Sequence, residues 1–167
     1  AEQSYVDVES KGWAVYGDLT IQLRDNLDLT VGARYTYDEK EIDSEVLDSG
    51  GALGNNFNYE FYTNGVVSNK EDWSEFTPRV ALSYDMSEDV TLYATASRGY
   101  KSGGFSISGI NSMFSQNPLA DLTFDPETAD GFEAGVKSTI LDQQLRLNAT
   151  AYEYEFTDLQ VDFFRSD

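Results

Sequence analysis

Cysteine and histidine are both absent from the 167 residues, and Lys and Arg together number only 11 against 30 Asp and Glu. The two missing residue types remove disulfides, thiolate and imidazole metal sites, and every catalytic scheme that turns on a histidine base. The shortage of cations, a net charge of -19, excludes a nucleic-acid partner, because phosphate binding needs clustered Lys and Arg. Long apolar runs are missing as well. The longest, Trp13-Ala14-Val15-Tyr16, falls far below the ~20 residues of a membrane-spanning helix. The opening Ala1-Glu2-Gln3-Ser4 has neither the basic start nor the apolar stretch of a signal peptide. Either residues outside this sequence direct export, or the protein stays inside the cell. Aromatics, by contrast, are plentiful, with 11 Tyr and 10 Phe, whereas an acidic disordered chain would lack them.

Three polar clusters, Arg24-Asp25-Asn26, Ser87-Glu88-Asp89 and Asp142-Gln143-Gln144, each separate two runs of alternating apolar and polar residues. They read as tight hairpin turns. The paired runs are 11–23 with 27–47, 73–86 with 90–101, and 127–141 with 145–163. Between hairpins, 48–72 and 102–126 are rich in Gly, Asn and Ser and read as long loops. The fold class expected is therefore all-β, six antiparallel strands in sequential hairpins, with short turns and long loops alternating as at the two ends of an outer-membrane barrel.

The two faces of these strands differ sharply. One phase, which includes Leu19, Leu29, Val80, Leu92, Val136 and Leu147, carries no charge, while the interleaved phase holds Asp18, Asp28, Arg34, Arg79, Asp85, Glu133, Lys137 and Arg146. Period-2 segregation specifies one dry and one wet face. The wet-phase cations are expected to pair with Asp18, Asp28, Asp85 and Glu133 along the wall, or to face whatever fills the lumen.

A soluble β-sandwich would segregate in the same way, and aromatic height separates the two readings. Trp13, Tyr37, Phe76, Tyr100 and Tyr154 each lie twelve residues from a turn centre at Asp25, Glu88 or Asp142, and Phe132 lies ten away. Twelve residues at ~3.3 Å rise and ~45° tilt climb roughly 28 Å, close to the ~25 Å apolar band of a transmembrane barrel with its aromatic girdles. Tyr84 and Tyr93 suggest a lower girdle. Tyr154 falls in the wet phase, and a β-bulge near Ala151 and Tyr152 would restore it to the girdle. Past Tyr37, Asp38, Glu39, Glu41, Asp43, Glu45 and Asp48 are opposed only by Lys40, so this stretch is expected to stand in water. Six strands fall short of the ~8 with which single-chain bacterial barrels begin, and unpaired edges in lipid are costly. An open segment of a larger barrel follows.

Three segments carry a family likeness: Ser97-Arg98-Gly99-Tyr100-Lys101-Ser102-Gly103-Gly104-Phe105; Phe124-Asp125-Pro126-Glu127 leading to Phe132-Glu133-Ala134-Gly135-Val136-Lys137-Ser138; and Leu145-Arg146-Leu147-Asn148 leading to Phe156-Thr157-Asp158-Leu159-Gln160-Val161. In this order they resemble the barrel of the TonB-dependent outer-membrane receptors. The stretch from Ala14-Val15-Tyr16-Gly17 through Gly32-Ala33-Arg34-Tyr35 to Lys40 resembles the preceding hairpin. The resemblance implies a barrel of about 22 strands filled by an N-terminal plug domain and energised through TonB. Residues 1–167 are then a partial barrel, with signal peptide, plug and remaining strands lying elsewhere. Gly103-Gly104 is expected to allow a positive-φ exit into a loop, and Pro126 to open a strand.

The resemblance also implies a transport receptor with no catalytic residue, no metal site and no cofactor. The ligand class expected by default is a ferric siderophore, with carbohydrate or cobalamin uptake, a passive porin and a barrel-anchored adhesin as alternatives. The partners expected are outer-membrane lipid and lipopolysaccharide, TonB through the N-terminal part, and the small-molecule ligand. Loop aromatics Tyr59, Tyr62, Phe105 and Phe114 are the candidate ligand contacts, since such receptors capture ligand with loops. The membrane girdle is assigned to Trp13, Tyr37, Phe76, Tyr100, Phe132 and Tyr154. Among rival motifs, Asp48-Ser49-Gly50 lacks the second carboxylate loop of an aspartic protease. Asn148-Ala149-Thr150 matches a glycosylation acceptor only by chance, inside a strand. The acidic run lacks the glycine punctuation of a calcium loop.

Overall fold

In a computed structural model, the chain is described over residues 3–47, 65–105 and 123–161. Eight strands follow in order: β1 Gln3–Arg24, β2 Leu27–Leu47, β3 Val67–Ser87, β4 Val90–Lys101, β5 Gly104–Phe105, β6 Thr123–Phe124, β7 Glu127–Ile140 and β8 Leu145–Thr157. Six form one sheet in the order β1-β2-β3-β4-β7-β8, and β5 pairs with β6 in a two-residue ribbon. No helix occurs among the described residues. The all-β hairpin architecture is thus as expected, with β1 and β8 at the two edges.

The turns fall at Asp25-Asn26, Glu88-Asp89 and Leu141–Gln144. At the second, the ladder slips by one residue between Asp85 and Ser87, a bulge that tightens the approach. The third is longer than expected. Leu141, Asp142 and Gln143 are all left-handed, with φ of 56, 50 and 65°, and the Gln144 N–H closes the turn on the Leu141 carbonyl at 3.1 Å.

Strand bounds differ from the alternation at three places. β1 begins at Gln3, eight residues before the apolar alternation starts, and β3 begins at Val67, inside what composition marks as loop. From Ser68 to Asp72 the strand is polar on both faces, and cross-strand polar pairs hold it against β2. Ser68 donates to Asp43, and Lys70 sits 2.9 Å from Glu39. β8 ends at Thr157, short of the expected end at Phe163, because Asp158 turns left-handed with φ 54° and 158–161 continue outside any strand; residues 162–167 lie outside the described residues.

Contacts divide the chain into two units, one of Ala1–Trp13, Tyr37–Ser74 and Ser102–Pro126, the other of Ala14–Thr36, Glu75–Lys101 and Glu127–Asp167. In the second unit the register confirms the two faces. Leu82 opposes Ala94, Ala94 opposes Ala134, and Ala134 opposes Ala151, an apolar row across four strands. On the other face the Thr20 and Thr30 hydroxyls meet at 3.0 Å. Neither face has a core. Among the described residues Ile42 is the one buried hydrophobic side chain, while Val15 is 66% exposed, Leu19 61% and Leu147 57%. A sandwich would bury one face of such a sheet, so the dry face needs another apolar medium.

The β7–β8 register runs unbroken from Thr128↔Thr157 to Ile140↔Leu145. The bulge expected near Ala151 and Tyr152 is therefore absent. Tyr154 stays on the wet phase, opposite Gly131, and its ring occupies the space that a Cβ there would need. Tyr93 is likewise on the wet face, opposite Gly135, with its hydroxyl 2.7 Å from Thr150 Oγ1. Both rings go where a glycine leaves room.

Candidate functional site

In the first unit, alternation along β2 puts Lys40, Ile42 and Ser44 on one face. Ile42 and Ser44 are buried, 1% and 4% exposed. The Lys40 ammonium donates to the Gly103 carbonyl at 2.6 Å and stands 5.7 Å above the Trp73 ring, a cation–π geometry. Phe105 meets Trp73 edge-on, with centroids 6.3 Å apart. A Cβ on Gly103 would lie 2.5 Å from both Trp73 Cε2 and the Phe124 carbonyl, and one on Gly104 2.8 Å from Phe124 Cζ. Neither glycine has positive φ. The expected reason for this pair, a left-handed exit from the strand, is corrected: they are glycines because two aromatic rings pack onto their backbone.

Within the acidic run, Glu39 finds its cation on β3. Lys70 bonds Glu39, a contact that holds the Glu39 carboxyl below its ordinary value and raises the Lys70 ammonium. Trp13 and Tyr37 stack at 5.9 Å. Of the four loop aromatics, Phe105 alone is described, and it packs on Trp73; Tyr59, Tyr62 and Phe114 lie outside the described residues. Lys40 and Trp73 were missed as a pair, although a tryptophan within the polar stretch 67–75 is a signal that it packs against something.

In the second unit the wet-phase cations do not form the expected wall of mutual ion pairs. Arg34 lies 5.8 Å from the Tyr16 ring centre and donates to Thr36 Oγ1 at 2.9 Å. Lys137 lies 5.1 Å above Tyr93. Neither these two nor Arg79 and Arg146 meets a carboxylate among the described residues. Arg34 meets an aromatic face on β1 and a hydroxyl on its own strand, and Lys137 an aromatic face on β4. The bidentate pair of this unit falls instead on the dry phase, where Arg98 Nε and Nη2 donate to Asp130 at 2.8 and 2.7 Å. Phe76 and Phe132 are exposed, 56% and 54%, and Tyr100 is half-buried opposite Thr128. At one corner Glu127 receives the Gln160 N–H at 2.8 Å, with Lys101 Nζ at 3.9 Å.

No helix among the described residues is long and apolar enough to cross a membrane. A large antiparallel sheet with one face uncharged over the rows near the turns, and with one buried hydrophobic side chain among the described residues, belongs to the class of outer-membrane β-barrel proteins. The chain belongs to the TonB-dependent receptor family: the model described as TonB dependent receptor-like, beta-barrel matches residues 2–167. The chain is 32% identical over 86 residues to the metal-pseudopaline receptor CntO of Pseudomonas aeruginosa, covering 52% of the chain and 11% of that receptor. It shares its fold with the ferric yersiniabactin uptake receptor FyuA of Yersinia pestis, at TM-score 0.73 and 18% identity over 96% of this chain and 22% of that one. The ferric-catecholate import receptor Fiu of E. coli K12, in its closed form, matches at TM-score 0.66 and 21% identity over 90% and 22%. The chain therefore spans about a fifth of the solved receptors it resembles. The family and these relatives are outer-membrane transport receptors, not enzymes.

Proposed function

We propose that this chain is one section of the wall and outer rim of a larger receptor that imports a metal chelate, foremost a ferric siderophore, with energy delivered through TonB. The observation that carries the reading is the family match over residues 2–167. The receptors similar to it, named for metal-pseudopaline, ferric yersiniabactin and ferric catecholate, support the ligand class. In this reading the dry face lies against lipid and lipopolysaccharide. The Lys40–Trp73–Phe105 cluster anchors the loop base, and ligand is met by loop aromatics, Tyr59, Tyr62 and Phe114 above all. The chain's acidity disfavours a free anionic ligand and favours a neutral or cationic complex, within the ~8 Å reach of charge at physiological salt.

The test is uptake of radiolabelled ferric chelates by cells in which the full-length receptor is deleted, restored or restored with Tyr59, Tyr62 and Phe114 changed to Ala. Restored iron-chelate uptake that the triple variant loses, with surface display unchanged, is the expected result. Restoration of cobalamin or carbohydrate uptake instead would move the ligand class, and uptake indifferent to TonB deletion would indicate a passive porin.

A further inference from the structure

The segment between β5 and β6 begins and ends at one paired position, because Gly104 opposes Phe124 and Phe105 opposes Thr123. A ribbon of two residues a side is too short to hold itself. Where it stands is decided by what it is docked on. The outgoing leg rests on β3, with Phe105 edge-on to the Trp73 ring, and on the returning leg Asn69 Nδ2 donates to Thr123 Oγ1 at 3.4 Å. One tie reaches further. Lys40, on β2, donates to the Gly103 carbonyl at 2.6 Å, just past the end of β4, and its ammonium stands 5.7 Å above Trp73 of the intervening strand. Its sequence neighbours Glu39 and Glu41 fall on the other face of β2 by alternation, and Glu39 is held by Lys70.

We propose that Lys40 is a positioning residue for ligand capture: its ammonium pins the base of segment 106–122 to β2 before ligand arrives. Ordering a loop on binding subtracts from the binding free energy, so a base already fixed raises affinity without touching ligand. The bond suits that task. It is charge-assisted, and Gly103 is buried, so water competes poorly for the carbonyl. It also fastens main chain and not a side chain, so what it fixes is the path of the strand exit itself. This rests on the reading that loops of the receptor capture a metal chelate.

The test uses the full-length receptor, with radiolabelled ferric yersiniabactin and a radiolabelled ferric catecholate as probes. For whichever chelate the unaltered receptor imports, K40M should raise the concentration giving half-maximal uptake about tenfold, the scale of one bond to a charged group, and leave maximal uptake unchanged. Hydrogen exchange at 102–105 and 123–125 in the purified variant should quicken, while exchange at 90–97 does not. K40R keeps the charge and its donors and should restore both readouts. K40Q keeps a donor alone and should fall between, and it carries the test if the mobility of unheated protein on a gel shows K40M unfolded. Unchanged half-maximal uptake, a loss confined to maximal uptake, or a loss that K40R does not restore overturns the proposal. Import of neither chelate by the unaltered receptor is a separate result, which overturns the ligand class and the proposal with it.

Discussion

The backbone N–H of Gln160 donates to Glu127 Oε2 at 2.8 Å, tying the chain just beyond β8 to the first residue of β7. Lys101 Nζ stands 3.9 Å from the same oxygen, so one carboxylate joins residues from all three segments that mark the family. Asp158, left-handed at φ 54°, is what turns Gln160 back toward it. The segments are thus recognisable because they build a corner. Glu127→Ala should destabilise the folded receptor by about 1.5–3 kcal/mol, the range for a hydrogen bond to a charged group. Glu127→Gln, which keeps an acceptor, should cost less. Urea titration of the refolded full-length receptor measures both, and equal costs would mean that the bond itself contributes little.

Gly103 makes the second test. Gly103→Ala brings a Cβ to 2.5 Å from Trp73 Cε2 and from the Phe124 carbonyl. Backbone cannot yield cheaply, so a loss of about 1–3 kcal/mol is expected from overpacking. Trp73→Ala removes one of the two clashes but also the ring on which Lys40 and Phe105 rest. The double variant should therefore lose less than the sum of the singles, and strict additivity in the same titration would show that Trp73 is not the obstacle.

What the sequence revealed and what it hid divide along one physical line. Turns at Asp25, Glu88 and Asp142, and the bounds of β2 and β4, were legible because apolar and polar residues contrast there. Ser68 to Asp72 are polar on both faces, so no period shows, and this part of β3 pairs through contacts such as Lys70–Glu39 that only three dimensions bring together. Tyr154 and Tyr93 were placed by distance from a turn, yet face is decided by what opposes a residue, and Gly131 and Gly135 open space on the wet side. Counting charges in one phase likewise overlooked that Arg34 and Lys137 find aromatic faces before carboxylates. The candidate ligand contacts were legible only as a class of loop aromatics, and Phe105, the one described, spends an edge on Trp73.

The Glu39–Lys70 pair gives a pH dependence with a definite sign. Its folded-state bond holds the Glu39 carboxyl below its ordinary value of 4.5, so its contribution is complete above that pH and is lost as pH falls through the lower folded value. Lys70 is raised above 10.5, so the same contact is lost again as pH rises through the higher folded value. Protection of the amides at 67–72 in the full-length receptor, measured relative to intrinsic exchange at each pH, should be greatest on the plateau between and fall at both ends. Lys70→Gln should flatten the acid limb. An unchanged acid limb in that variant would assign it to the other carboxylates of β2.

The lipid-facing assignment of the dry phase yields the sharpest energetic contrast. Val80 opposes Ala96 in a row that continues to Phe132, and it is 43% exposed. It lies eight residues from the turn at Glu88, well inside the apolar band. Val80→Arg must therefore place a guanidinium in hydrocarbon or drag its strand toward an interface, at about 2–4 kcal/mol near the midplane. Leu29→Arg, on the same phase of β2, should behave alike. Thr30→Arg points to the wet face, where Thr30 now meets the Thr20 hydroxyl, and should cost about 1 kcal/mol or less, the scale of one neutral hydrogen bond. Reversible folding of the full-length receptor into lipid vesicles, followed by denaturant titration, separates the cases. If Val80→Arg and Thr30→Arg lose the same amount, the two faces see the same medium, and the uncharged phase is not the one that lies against lipid.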